Sequence, residues 1–195
     1  MKKTWKCFLL VLLVLSLAVS GGCRKSDPVD TLKQMLTYLK AGKTNKAETL
    51  MYNPEAFSIE EGNRIELKEA VRRHLSWEIV DAHLAEDGTY YEVEMYIHMV
   101  DVAEGFGQIT DKYIDEMMTD AVNGISWEDD TLSEELVNDL NAMIESDDPP
   151  MKDFPVTAYV VPDGDGGWKV FITQDLVNAI TGGSLEMLQH DGFSF

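Results

Sequence analysis

The sequence predicts an α+β fold, and three features of its order carry that prediction. Apolar residues recur at helical spacing before position 75, strict alternation marks two later stretches that each fold back on a turn, and an acidic helical segment separates those hairpins. N-terminal helices are therefore expected to pack on an antiparallel sheet of about four strands, with the acidic segment inserted between its halves.

The first helix opens at Asp27-Pro28, an N-cap followed by a proline in the first turn. Leu32, Met35, Leu36 and Leu39 form its apolar stripe, and Gly42 stops it. A second, short helix runs from Thr44 through Ala47, Leu50 and Met51 to Asn53-Pro54. A third is expected from Asn63 to Leu75, with Leu67, Ala70, Val71 and Leu75 inward.

The period then changes from helix to strand. Trp77–Leu84 and Tyr90–Val100 are predicted strands joined through Asp87-Gly88, a strong hairpin signal. Tyr91, Val93, Met95, Ile97 and Met99 alternate with Tyr90, Glu92, Glu94, Tyr96 and His98, so one face is core and the other polar. A two-residue turn sets His83 opposite Glu92 and Asp81 opposite Glu94; a four-residue loop keeps the same face and changes only the partners. Trp77 is expected to be at least half buried.

From 104 to 153 the chain reads as acidic helices. Phe106, Ile109, Tyr113, Met117 and Ala121 mark one; Thr131 to Glu134 reads as a capping box opening the next, and Asp147-Asp148-Pro149-Pro150 ends it. A second hairpin follows, 156–161 with 168–173, turning on Asp163-Gly-Asp-Gly-Gly167, with Trp168 expected in the core. Asp175 is expected to cap a last helix that Gly182-Gly183 halts. The expected domain spans 28–183, with a tail from 184 to 195.

The N-terminus reads as an address. Lys2, Lys3 and Lys6 precede 13 residues, Cys7–Val19, that are almost wholly apolar, and small residues follow. That core is shorter than the roughly 18 to 20 residues a spanning helix needs, so the pattern is a signal peptide over residues 1–22. With Cys23 directly after Val19-Ser20-Gly21-Gly22, it resembles a bacterial lipoprotein signal, although Ser20 stands where an aliphatic residue is usual. The resemblance implies that Cys23 is lipidated, becomes the first mature residue, and holds the protein to the outer face of the cytoplasmic membrane through a 23–27 linker. Cys7 leaves with the signal, so no thiol remains for a disulfide, a nucleophile or a zinc–thiolate site.

Charge bounds the partners. The chain has 16 basic and 35 acidic residues; without the three signal lysines, 13 basic residues face 35 acidic ones, a net of −22. Such a surface repels nucleic acid and anionic headgroups and favours a basic protein or peptide, or divalent cations.

Helices, two hairpins and a closing helix look like the cystatin-like cone shared by nuclear transport factor two and ketosteroid isomerase. The closer resemblance is to lipoproteins of Gram-positive bacteria that carry this domain. It rests on Leu39-Lys-Ala-Gly42 with Ala47, on Trp77-Glu-Ile-Val80 through Ile97-His-Met-Val-Asp101, and on Gly167-Trp-Lys-Val170 followed by Asp175 to Gly183. It implies a curved sheet around a helix and a cell-surface location, but no activity. No motif aligns the catalytic residues of the isomerase-like enzymes with this chain.

Two places are candidate sites. Asp81, His83, Glu92, Glu94 and His98 share the polar sheet face, where two histidines and three carboxylates can ligate a metal or do acid–base chemistry. The ordinary reading is a solvated face with cross-strand ion pairs. The second is Trp127 with Glu128, Asp129 and Asp130, in a region (101–153) holding 16 acidic residues against 2 basic ones, a net of −14. It reads as an aromatic anchor in an acidic docking surface, or as a tryptophan stapled over a helix start.

Other motif echoes fall away. Ala41-Gly42-Lys43-Thr44 mimics a phosphate loop but has Thr37 where glycine is required and a helix before it. Asp163-Gly-Asp-Gly-Gly lacks the later calcium ligands and suits a hairpin turn. No nucleophile elbow, zinc-protease or dinucleotide fingerprint occurs, and no cofactor is called for. The expected function is a lipid-anchored, extracytoplasmic binding module without catalysis. The alternative is a cone-fold enzyme or small-molecule binder with a cavity between sheet and helices; a filled interior favours the first and a polar-lined pocket the second.

Overall fold

The computed structural model describes residues 27–60, 63–64, 69–123 and 129–185, with the main chain alone described at 58–60, 63–64, 120–121 and 129–134. It is an α+β fold with N-terminal helices and a four-stranded antiparallel sheet.

Helix α1 (Pro28–Lys40) begins where Asp27 accepts the N–H of Val29 at 2.9 Å and that of Asp30 at 3.3 Å. It ends at Gly42, which takes φ 66°, a conformation open to glycine at little cost. Helix α2 spans only Thr44–Glu48. Met51, expected on that helix, instead makes a parallel bridge to Val170.

The expected helix from Asn63 is not found. Ser58–Glu60 (β1) pairs with Asn63–Arg64 (β2) in a small separate hairpin, and helix α3 is described over Glu69–Arg72, with Leu67 of the expected helix outside the described residues. Leu75, just beyond it, is fully buried in the core.

The sheet runs β3 (Ser76–Leu84), β4 (Tyr91–Val100), β5 (Met151–Pro162) and β6 (Trp168–Phe171), in that order. His83 pairs with Glu92 and Asp81 with Glu94, the register a two-residue turn sets. Closer to the start of β3 the register shifts by one, because Val80 is bulged out between Ile79 and Asp81. The bulge lets Trp77 and Ile79 face the core before it and Ala82 after it, although their sequence parity differs.

Strand β5 starts five residues before the expected 156, so residues 151–153 belong to the sheet and not to the helical insertion. Pro155, an interior strand proline, hides this. It falls where β6, which pairs only with Tyr159–Pro162, does not reach, so no ladder bond on that side needs the missing N–H.

Helix α4 (Val102–Val122) and helix α5 (Asp129–Glu145) form the insertion. Helix α5 already includes Asp129 and Asp130, so Thr131 is not its cap. Helix α6 (Gln174–Ile180) is capped by Thr173, whose Oγ1 accepts the Leu176 N–H at 3.2 Å, and not by Asp175. Asp175 lies in the first turn instead.

The core lies between α1, α6 and one sheet face. Leu32, Met35, Leu36 and Ile180 are fully buried against Val93, Ile97, Ala158 and Val170. Trp168 is only half-buried, packed edge-on to Tyr91 with ring centres 5.3 Å apart, while its strand neighbour Val170 takes the core position.

Candidate functional site

The polar sheet face builds from β3, β4 and β5. Asp81 and His83 flank a turn of the alternation on β3, and Glu92 stands directly across from His83. His83 Nδ1 lies 3.2 Å from Asp81 Oδ2 and Nε2 lies 3.7 Å from Glu92 Oε2, so one imidazole bridges two carboxylates. Glu92 also hydrogen-bonds the Tyr90 hydroxyl, which holds that phenol above its ordinary pKa, with burial adding to the shift. Tyr90 in turn meets Tyr159 edge-on at 5.7 Å.

Glu94 faces Asp81 on one side and Thr157 on the other. His98 is not part of the same cluster. It sits six residues from Glu92 along β4, roughly 20 Å at strand rise, and pairs across the sheet with Asp153, Nδ1 to Oδ1 at 2.5 Å. Asp153 carries no signal in the sequence as its partner, because it reads as the end of the acidic helices until β5 is placed. The five residues thus share a face but divide into a group of three, Asp81, His83 and Glu92, a separate pair of His98 with Asp153, and Glu94 between them. Among the described residues no group of three or more His, Cys, Asp or Glu is arranged to hold a metal ion.

Between these groups the same face mixes apolar side chains with Glu94 and Thr157. Val80, lifted out by the bulge and 57 % exposed, stands beside Tyr96 and Pro155 over an open hollow of about 230 Å³. An extra residue in a β-branched stretch is the only sequence trace of this feature.

The acidic helices are joined by Asp139, which accepts Lys112 Nζ at 3.1 Å and the Tyr113 hydroxyl at 3.2 Å. The hydrogen bond that Lys112 donates to Asp139, and the charge of that carboxylate, hold the Lys112 ammonium above its ordinary pKa. At the base, Asp101 Oδ1 caps α4 through the Glu104 N–H at 3.0 Å, and its other oxygen lies 3.5 Å from Lys152 Nζ. Both basic residues of the 101–153 region are therefore already paired with carboxylates. Cys23, Trp127 and Glu128 lie outside the described residues, and Asp129 and Asp130 are placed only by main chain in the first turn of α5.

The Asp163 turn behaves as a hairpin closure. Its Oδ1 accepts the N–H of Asp165 at 2.9 Å and of Gly167 at 2.8 Å, both oriented along the loop.

No family model matches the chain, and comparison with curated proteins and with solved structures finds no significant match. Among the described residues no helix is long and apolar enough to cross a membrane.

Proposed function

We propose that this chain is a lipid-anchored, extracytoplasmic binding module that works through its outer surfaces and not through an internal pocket. The observation that supports this reading is the apolar packing of α1 on the sheet among the described residues. Where a cone-fold enzyme keeps its cavity, between helix and sheet, Leu32, Met35, Leu36 and Leu39 lie against Val93, Ile97, Ala158 and Val170, all at most 2 % exposed. Such side chains present no polar group to a substrate. The titratable residues Asp81, His83, Glu92, Glu94 and His98 project from the opposite face of the sheet.

The arrangement of four antiparallel strands with α1 across them supports the cystatin-like cone assignment. The signal-like segment ending at Cys23 supports the anchor, with the domain on the outer face of the membrane. A net of −22 on the mature chain makes a basic polypeptide the natural partner class.

The test is cross-linking in intact cells followed by recovery of the full lipoprotein. We expect discrete polypeptide adducts whose yield falls with added salt, and release of the protein from membranes in the Cys23→Ser variant. Salt-independent recovery of the chain alone, still membrane-bound without Cys23, would contradict both parts.

A further inference from the structure

Helix α4 carries more apolar residues than its inward face uses. Ile109 and Tyr113 are buried against the rest of the molecule. Ile114, Met118 and Val122, spaced i, i+4 and i+8, point away from it, 48 %, 66 % and 88 % exposed, and Met117, one turn beyond Tyr113, borders them at 37 %. A continuous stripe of four large apolar side chains on an outward helix face is unusual for a solvated surface and marks a contact site. Two methionines at its centre suit it to partners of varied shape, because an unbranched thioether repacks readily.

The rim of the stripe determines what fits. Asp111 and Asp115 are exposed on this side of α4, and both lysines of the region are engaged, Lys112 by Asp139 and Lys152 by Asp101. An anionic lipid surface and a second copy of this chain would both meet like charge. We infer that the outward stripe of α4 docks a basic amphipathic helix of a partner protein, its apolar face on Met117 and Met118 and its lysines or arginines against the flanking carboxylates. This assignment rests on the reading of the chain as a binding module and names the surface and the partner chemistry.

The test uses the full chain and a synthetic 18-residue helical peptide with leucine at i, i+3, i+4 and i+7 and lysine elsewhere. Two control peptides keep its composition with leucines spread around the helix, or replace lysine by glutamate. We expect the patterned peptide to bind at least tenfold more tightly than either control, and its affinity to fall several-fold between 0.05 and 0.5 M salt. The charge-neutral pair Ile114→Ser with Met118→Ser should lose tenfold or more, while Val80→Ser on the sheet face should change nothing. Val122→Ser, at the most exposed position, gives a second readout that does not depend on α4 packing and should lose about threefold. Equal binding of the scrambled peptide, or unchanged binding by both stripe variants, would overturn the assignment. So would tight binding to vesicles rich in anionic lipid. If the stripe variants are silent while cell cross-linking still yields salt-sensitive adducts, the binding-module reading survives and only this surface is wrong.

Discussion

The guanidinium of Arg73 donates from Nη2 to the main-chain carbonyl of Ile144 at 3.2 Å, joining the segment after α3 to the C-terminal end of α5. His74 Nε2 approaches the same carbonyl at 3.2 Å. Helix α5 has no basic residue in its own last turn, so a cation from elsewhere in the chain complements the negative end of its dipole. The acidic insertion is in this way tied back to the body by residues that precede the sheet.

Replacing Arg73 by Ala should loosen that end of the insertion by about 1 kcal/mol, the scale of one charge-assisted bond to a helix terminus. Amide exchange should accelerate over residues 140–146 and stay unchanged in β4 and β5. Uniform acceleration across the sheet would show that Arg73 supports the whole fold and not the tie alone.

Asn53 offers a cleaner case, because its side chain closes the β6 edge with two bonds. Its Nδ2 donates to the Ile172 carbonyl at 3.0 Å and its Oδ1 accepts the Ile172 N–H at 2.8 Å. Ile172 is only 3 % exposed, so Asn53→Ala leaves two main-chain groups short of partners. Denaturant unfolding should lose about 2 kcal/mol, within the range for unsatisfied buried groups. A loss below about 0.3 kcal/mol would mean that water replaces the amide without cost.

Gly182 should tolerate no side chain. It sits at φ 66° after α6, and a Cβ there would clash with the Val100 carbonyl oxygen; its own carbonyl accepts the Val102 N–H at 2.9 Å, at the start of α4. Gly182→Ala combines left-handed strain with a main-chain collision and should cost more than about 3 kcal/mol. Gly88 has a similar φ of 72° with nothing nearby, so Gly88→Ala should cost only about 1 kcal/mol. Equal thermal shifts for the two would contradict the close approach at Gly182.

Asp87 gives the β3–β4 turn a pH dependence. The hydroxyl of Thr89 donates to its Oδ1 at 2.7 Å and the Thr89 N–H at 3.0 Å, and these bonds lower its pKa below the usual aspartate value. A lowered folded-state pKa means a contribution that is complete above the unfolded value, near 3.9, and is lost as pH falls through the folded one. The stability difference between the parent and Asp87→Asn should be constant from about pH 5 to 8 and shrink below about pH 4. A difference that grew on acidification would reverse the sign and exclude this role for the carboxylate.

The α+β order, the α1 stripe and the pairing of His83 with Glu92 are legible in the sequence because local signals and the fold agree there: an Asp-Gly turn fixes register, and alternation fixes face. The bulge at Val80 is not legible, since one extra residue in Ile79-Val80 looks like ordinary strand composition. The expected helix start at Asn63 misleads because Asn63–Arg64 pairs with β1, a contact that local helical spacing does not reveal. The start of β5 is masked by Pro155, whose tolerance depends on how far β6 extends. On α4 the periodicity of Ile109 and Tyr113 marks the inward face, but Met117 on the same line is 37 % exposed, and the outward Ile114 and Met118 fall outside that pattern.

The most direct measurement is native mass spectrometry of the full protein taken from the membrane fraction in low salt. We expect a lipid-modified chain beginning at Cys23, bound to a basic polypeptide that dissociates as salt is raised, and with no small molecule retained. A retained small molecule on a chain without any polypeptide would contradict a surface-acting binding module and point to an internal ligand site.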